Sequence, residues 1–161
     1  MLMKLRFGIL TISDRVAGGA MEDGGGPAVA EALESGDWEI VRRSIVSDDA
    51  QAIAAILASW ADDDSLDVVF TTGGTGLGPR DVTPEATMSV ADRPVPGIAE
   101  AIRAASLCQT QTAMLSRAMA AIRGTTLIVN LPGSPGGAKE GVEIVRPILE
   151  HAVATLHGGK H

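Results

Sequence analysis

The sequence predicts an α/β fold: a three-layer α/β/α sandwich on a mostly parallel sheet, in a single domain of 161 residues. Three observations predict it. Short, near-continuous apolar runs recur along the chain, as strands buried on both faces require. Segments with helical spacing alternate with these runs, the pattern of strand–helix–strand crossovers. Polar or glycine-rich residues follow the runs, as loops at the carboxyl edge of such a sheet do.

Taken in order, residues 5–12 (LRFGILTI) form the first apolar run and lead into Ser13-Asp14-Arg15 and a Gly-rich stretch. Residues 27–34 have helical spacing, with Pro27 at the start and Gly36 just past the end. Residues 38–46 read as a second strand. Ser47 is the expected cap of a helix over residues 48–60, with Ile53, Ile56 and Leu57 on one face. Residues 67–72 (DVVFTT) form a third buried strand, and a glycine loop follows at once. Thr83-Pro84-Glu85 reads as a helix start: a capping hydroxyl, Pro in the first turn and an early acid. Pro96 opens another helix. Residues 126–131 (TLIVNL) form a further strand, ending in Pro132-Gly133-Ser134-Pro135. The last helix covers residues 137–156, with Val142, Val145, Leu149, Ala152 and Leu156 as its inner stripe. Pro147 inside it predicts a kink or a break. Residues 158–161 read as a loose tail. No repeat of 20–50 residues is visible.

Composition narrows the function. The chain is 45% apolar and 20% charged, ordinary for a globular domain, and has two Phe, two Trp and no Tyr. Its net charge of -7 opposes a polyphosphate partner, and it lacks aromatic platforms for stacking bases, so nucleic-acid binding is excluded. A small anionic ligand is compatible where backbone N–H groups, a few Arg or a divalent cation supply local positive character. Cys108 is alone and cannot form an intrachain disulfide; with His151, His157 and His161 it makes no zinc-like cluster. Residues 1–6 lack a signal-peptide hydrophobic region, and no apolar run approaches the roughly 20 residues a membrane helix needs. The expected location is the cytoplasm.

Four strand-end loops are polar or glycine-rich: Ser13-Asp14-Arg15, Ser47-Asp48-Asp49, residues 72–81 and residues 132–135. Their coincidence at one sheet edge is the main functional signal. In the loop TTGGTGLGPRD (residues 71–81), glycines let the backbone approach a ligand, and successive N–H groups can form an anion-binding nest. The loop matches neither a Walker A sequence nor the dinucleotide-binding glycine pattern, because Pro79-Arg80 follows Gly78. On glycine content alone it is either such a nest or a tight turn. Asp48 and Asp81 follow different strands and could converge as a pair suited to Mg²⁺. Their alternatives are local: Asp48 could complement a helix dipole and Asp81 could serve a turn.

TTGGTGLGPRDVTPEAT (residues 71–87) resembles the signature of the MogA/MoaB family, shared with the corresponding domain of gephyrin and plant molybdenum-insertion proteins. The resemblance continues through Ile12-Ser13-Asp14-Arg15, Pro96-Gly97, Glu100, Arg103, Leu115-Ser116-Arg117, Arg123-Gly124 and LIVNLPGSP (residues 127–135), in the family's order. It implies one molybdopterin-binding domain over residues 1–161, a homotrimer, and transfer of AMP from Mg-ATP to molybdopterin with release of pyrophosphate. A downstream molybdenum-insertion protein is an implied partner. Carried over by position, Asp48 and Asp81 look like the essential aspartates and tentative Mg²⁺ ligands. Thr72, Gly73, Gly74, Thr75 and Gly76 look like part of the pterin and nucleotide pocket, together with Ser106, Ser116, Pro132, Gly133 and Ser134. Ser13, Glu100 and Arg117 are further candidate ligand contacts. Glu100 and Arg103 could equally form an ion pair on one helix. The alternatives in function are a MoaB-type paralogue and a non-catalytic pterin carrier or scaffold.

Overall fold

Strands β1 (Arg6–Ile12), β2 (Glu39–Val46), β3 (Val68–Thr72), β4 (Arg93–Pro94), β5 (Ala120–Arg123) and β6 (Thr126–Leu131) form one sheet in the order β2-β1-β3-β6-β5-β4. The protein is represented by a computed structural model that describes residues 3–159. β2, β1, β3 and β6 run parallel, while β5 and β4 are antiparallel to their neighbours. The helices are α1 (Asp14–Ala17), α2 (Gly25–Leu33), α3 (Ala50–Asp62), α4 (Thr83–Val90), α5 (Pro96–Leu107) and α6 (Pro135–Leu156), with a 3-10 turn at Gln111–Leu115.

The continuous apolar runs become the central strands. Every residue of β3 and β6 is buried, and so is β1 after Arg6. Alternation along β1 sends Phe7 and Ile9 to one face, against Val29 and Leu33 of α2, Ile102 of α5 and the Val142–Val145–Leu149–Val153 stripe of α6. Leu10 and Ile12 point to the other face, against Ile53, Leu57 and Trp60 of α3 and Ala86 of α4. These are the three layers. Each fully buried Leu, Ile, Val or Phe contributes roughly 1.5–3 kcal/mol, so the two cores hold the strand ends in fixed register. Phe70 stacks on Phe7 at 5.9 Å between ring centroids. No helix among the described residues is long and apolar enough to cross a membrane.

Several local expectations are corrected. α3 is capped by Asp49, whose carboxylate accepts the Ala52 N–H at 2.8 Å, not by Ser47. α2 begins two residues before Pro27. Thr83 does not cap α4 with its side chain; that hydroxyl donates to the Gly73 carbonyl at 2.9 Å. α6 runs unbroken through Pro147. Most of its apolar stripe lies in the core, and burial of that face outweighs the one backbone bond Pro removes. Gly158 and Gly159 still donate backbone hydrogen bonds to Thr155 and Ala154, whereas Lys160 and His161 of the expected tail lie outside the described residues. α1, β4 and β5 had no sequence counterpart; none exceeds four residues.

From β1 the chain continues to β2 on one side and later enters β3 on the other, so strand order reverses at the β1/β3 crevice. A reversal of this kind opens a cleft beyond the carboxyl ends of the two strands.

Candidate active site

Two adjoining cavities occupy that carboxyl edge. A smaller one, about 270 Å³, is lined by Ser13, Asp48, Thr72, Gly73, Gly74, Asp81 and Gly133, among others. A larger one, about 710 Å³, is lined by Thr75, Gly76, Ser106, Ser116, Pro132 and Ser134, with Gln109 and Glu140 among its other walls. The glycine loop and the loop after β6 serve both: Gly73 and Gly133 face one cavity, Gly76 and Pro132 the other.

The loop owes its path to backbone freedom. Gly73 has φ 103° and Gly74 φ 68°, a left-handed region that disfavours side chains. A Cβ on Gly73 would overlap the Ile12 carbonyl, and one on Gly74 would overlap the Thr83 hydroxyl and approach Asp48 Oδ1 to 3.1 Å. Thr83 then fixes the turn from below, its N–H donating to Gly74 O at 3.1 Å and its hydroxyl to Gly73 O. Behind it, the buried Asn130 amide donates to the hydroxyls of Thr71 and Thr87, each at 3.0 Å. Thr72 donates its hydroxyl to Pro132 O at 2.7 Å, tying the two ligand loops together.

Three strand-end loops are locked by charge. The Asp14 N–H donates to Asp48 Oδ2 at 2.8 Å, and the Asp48 N–H donates to Asp14 Oδ1 at 3.0 Å. Arg80 closes the ring with a fork onto Asp14, Nε to Oδ2 at 2.9 Å and Nη2 to Oδ1 at 3.0 Å. The Arg80 guanidinium holds the Asp14 carboxyl below its usual value. Burial pushes Asp48 the other way; the Asp14 N–H opposes that rise, and the Asp14 and Asp81 charges add to it. Asp48 is therefore a carboxylate whose charge would be stabilised by a cation. Asp81 Oδ2 accepts the Gly78 N–H at 2.9 Å. One oxygen of each aspartate is thus engaged: that of Asp48 holds the loop after β1, and that of Asp81 holds its own loop.

The remaining candidates divide. Ser13 caps α1, accepting the Val16 N–H at 3.3 Å, and lines the smaller cavity. Ser134 lines the larger cavity while capping α6 through the Gly137 N–H at 3.2 Å. Arg117 is engaged with the loop itself: Nε donates to Gly76 O at 2.8 Å, Nη2 to Asp81 O at 2.7 Å, and Nη1 pairs with Glu85. It lines neither cavity and acts as a clamp on the segment carrying Asp81. Glu100 is exposed on α5 and also lines neither cavity, while Arg103 donates to the carbonyls of Ser116 and Ala118 instead of pairing with it. Sequence reasoning missed Asp14 as a site residue, although it sits inside a motif, and it missed Asp23 and Glu140; Arg80, in the glycine-loop motif, could on sequence alone be merely solvated, whereas it forks onto Asp14. Asp23 bonds the Thr11 hydroxyl and the Gly26 N–H at the start of α2, a helix-start acid legible in principle.

A parallel α/β sheet with two cavities served by the same two loops, at a reversal of strand order, defines a protein of the switch-point class. Residues 8–151 match the family described as "Probable molybdopterin binding domain". The chain is 44% identical over 157 residues to the molybdopterin adenylyltransferase of Escherichia coli K12, covering 96% of this chain and 79% of that one. Its structure superimposes with a TM-score of 0.90 on the molybdopterin biosynthesis enzyme MoaB of Thermus thermophilus, at 47% identity and 96% and 97% coverage of the two chains. The tungsten cofactor synthesizing protein MoaB of Pyrococcus furiosus gives 0.86 at 34% identity, with 97% and 99% covered. The chain belongs to the MogA/MoaB family.

Proposed function

We propose that this chain is a molybdopterin adenylyltransferase acting in the cytoplasm, transferring AMP from ATP to molybdopterin and releasing pyrophosphate. The observation that carries the reading is the shared wall: a glycine-lined cavity holding Asp48 and Asp81 opens beside a larger one, so two substrates can meet across the glycine loop. The smaller cavity would receive the triphosphate and the larger one the pterin. The similarity to the Escherichia coli molybdopterin adenylyltransferase supports the same activity.

In the reaction, an oxygen of molybdopterin's terminal phosphate forms a bond to the α-phosphorus of ATP. The bond from that phosphorus to the β-bridging oxygen breaks, and pyrophosphate leaves with the electron pair. Asp48 and Asp81 fit Mg²⁺, which takes one or two carboxylates and completes its shell with water and phosphate oxygens. When bound, the ion would neutralise the triphosphate and favour pyrophosphate departure. The chain's own residues position the reactants. The Asp14–Arg80 ring aims Asp48, Arg117 holds the Asp81 segment, and the glycine loop lets backbone N–H groups approach the phosphates. Resemblance to the family supports a homotrimer that hands its product to a molybdenum-insertion protein.

Incubating the protein with molybdopterin, ATP and Mg²⁺ and measuring pyrophosphate tests the reading. The expected result is release dependent on all three. Tight molybdopterin binding with no pyrophosphate would instead indicate a carrier, or a MoaB-type paralogue without this activity.

A further inference from the structure

Glu140 stands in the wall of the larger cavity, on the second turn of α6, half-buried among neutral groups. Its carboxylate is held in place from both sides. Gln109 Nε2 donates to Oε1 at 2.9 Å, and the Ser106 hydroxyl to Oε2 at 3.4 Å. The neighbouring Lys139 is engaged elsewhere, with Glu31 at 3.1 Å. A partly buried carboxyl group held by neutral donors keeps an acceptor site on each oxygen, so it favours a ligand that presents donors.

Its place in the cavity indicates which donors. Gly73, Gly74 and Gly133 line the smaller cavity, and Thr75, Gly76, Pro132 and Ser134, next along the same two loops, line the larger one. Glu140, Ser106 and Gln109 belong to the α5–α6 side and line only the larger cavity. A pterin whose phosphate reaches Asp48 and Asp81 must direct its opposite end, the 2-amino-4-oxopyrimidine edge, toward that side. This edge carries two adjacent parallel donors, N3–H and the exocyclic amine. Two oxygens of one carboxylate accept such a pair bidentately, as they accept a guanidinium fork. Adenine sets an acceptor beside its amine, so one carboxylate oxygen would face a lone pair.

We propose that Glu140, positioned by Gln109 and Ser106, is the specificity-determining residue that reads the aminopyrimidinone edge of the pterin and keeps adenine out of the larger cavity. The pterin's identity rests on the adenylyltransferase reading; the recognition chemistry does not require turnover and is tested without it.

The test is a fluorescence titration of the intact chain, without ATP, against two probes: phosphorylated 6-hydroxymethylpterin and its lumazine counterpart, in which an oxo group replaces the 2-amino group. The readout is the ratio of their affinities. Wild type is expected to favour the pterin by about tenfold or more, the effect of losing a charge-assisted bond and opposing two acceptors. In Glu140→Gln the ratio should fall to about twofold, with lumazine affinity little changed and ATP affinity unaltered. Glu140→Ala should collapse the ratio likewise and covers the case in which Gln109 re-pairs with a new amide. A wild-type ratio near one, or a tenfold preference that survives in both variants, overturns the proposal. So does a loss confined to ATP affinity, which would place the nucleotide base against Glu140. Failure of pyrophosphate release in wild type would sink the adenylyltransferase reading and leave this ratio intact.

Discussion

The two cavities at the carboxyl edge are built from opposite materials. The smaller is framed by ionised side chains that grip one another: Asp14 and Asp48 exchange backbone hydrogen bonds and Arg80 forks onto Asp14. The larger is framed mainly by hydroxyls, glycines and apolar side chains of the glycine loop, α5, α6 and the 3-10 turn, with Glu140 as the carboxylate in its lining; Leu77 is 65% exposed and Leu115 48%. A site that must place phosphates against a cation needs fixed charges, because a displacement of about 1 Å can cost roughly a hundredfold in rate. A site that receives a flat heterocycle needs area and a few oriented polar groups. The difference shows which substitutions should affect chemistry and which should affect binding.

The largest effect should come from the turn that both cavities share. Gly74→Val forces a branched side chain into the Thr83 hydroxyl and toward Asp48 Oδ1, at a backbone conformation that disfavours it. Pyrophosphate release should drop by about two to three orders of magnitude, with far-ultraviolet circular dichroism preserved. Near-normal turnover would mean the loop can move without disturbing the aspartates.

Next in size is the charge ring. Arg80→Ala frees Asp14 and leaves its carboxylate facing Asp48 without a counter-charge, and turnover should fall about tenfold to a hundredfold, the apparent Mg²⁺ requirement rising with it. Arg80→Lys should recover only part of this, because an ammonium cannot reproduce the bidentate fork. Full recovery with lysine would reduce the role of Arg80 to its charge. Thr83→Val is the matching test of the buried scaffold. It removes the hydroxyl donated to Gly73 O at a fully buried position, and thermal unfolding should report a loss of about 1–3 kcal/mol.

Legibility in the sequence followed the same division. β1, β3 and β6 were plain because burial on both faces makes a continuous apolar run, and the glycine loop was plain because left-handed backbone has a residue signature. The family motif marked Asp48, Asp81 and the serines as candidates, and the fold brings them to one edge. What stayed hidden was pairing across distance. Nothing local ties Arg80 to Asp14, 66 positions away, or turns Arg117 onto the Gly76 and Asp81 carbonyls. Glu140 carries no signal in the sequence; its role emerges only where Ser106 of α5 and Gln109 just beyond it bond to its carboxylate across 34 and 31 positions. The short β4 and β5 were invisible for a different reason: strands of two and four residues carry no period to read.

The smallest expected effect concerns stability and pH. Burial raises the Asp48 carboxyl, so the folded state binds its proton more tightly than the unfolded chain does. Ionised Asp48 therefore costs stability above its folded value, and the cost vanishes below the ordinary carboxylate range, where both states are protonated. Asp48→Asn should accordingly match or slightly exceed wild type in thermal midpoint at neutral pH, with the difference closing on acidification. A variant that is less stable at neutral pH would show that the Asp14 N–H bond outweighs desolvation.

That same variant gives the most direct test of the division between chemistry and binding. Molybdopterin affinity and pyrophosphate release would be measured side by side in Asp48→Asn. The account expects affinity within about twofold of wild type and release lower by about two orders of magnitude, because Asp48 faces only the smaller cavity. Equal losses in both, or a normal rate, would contradict it.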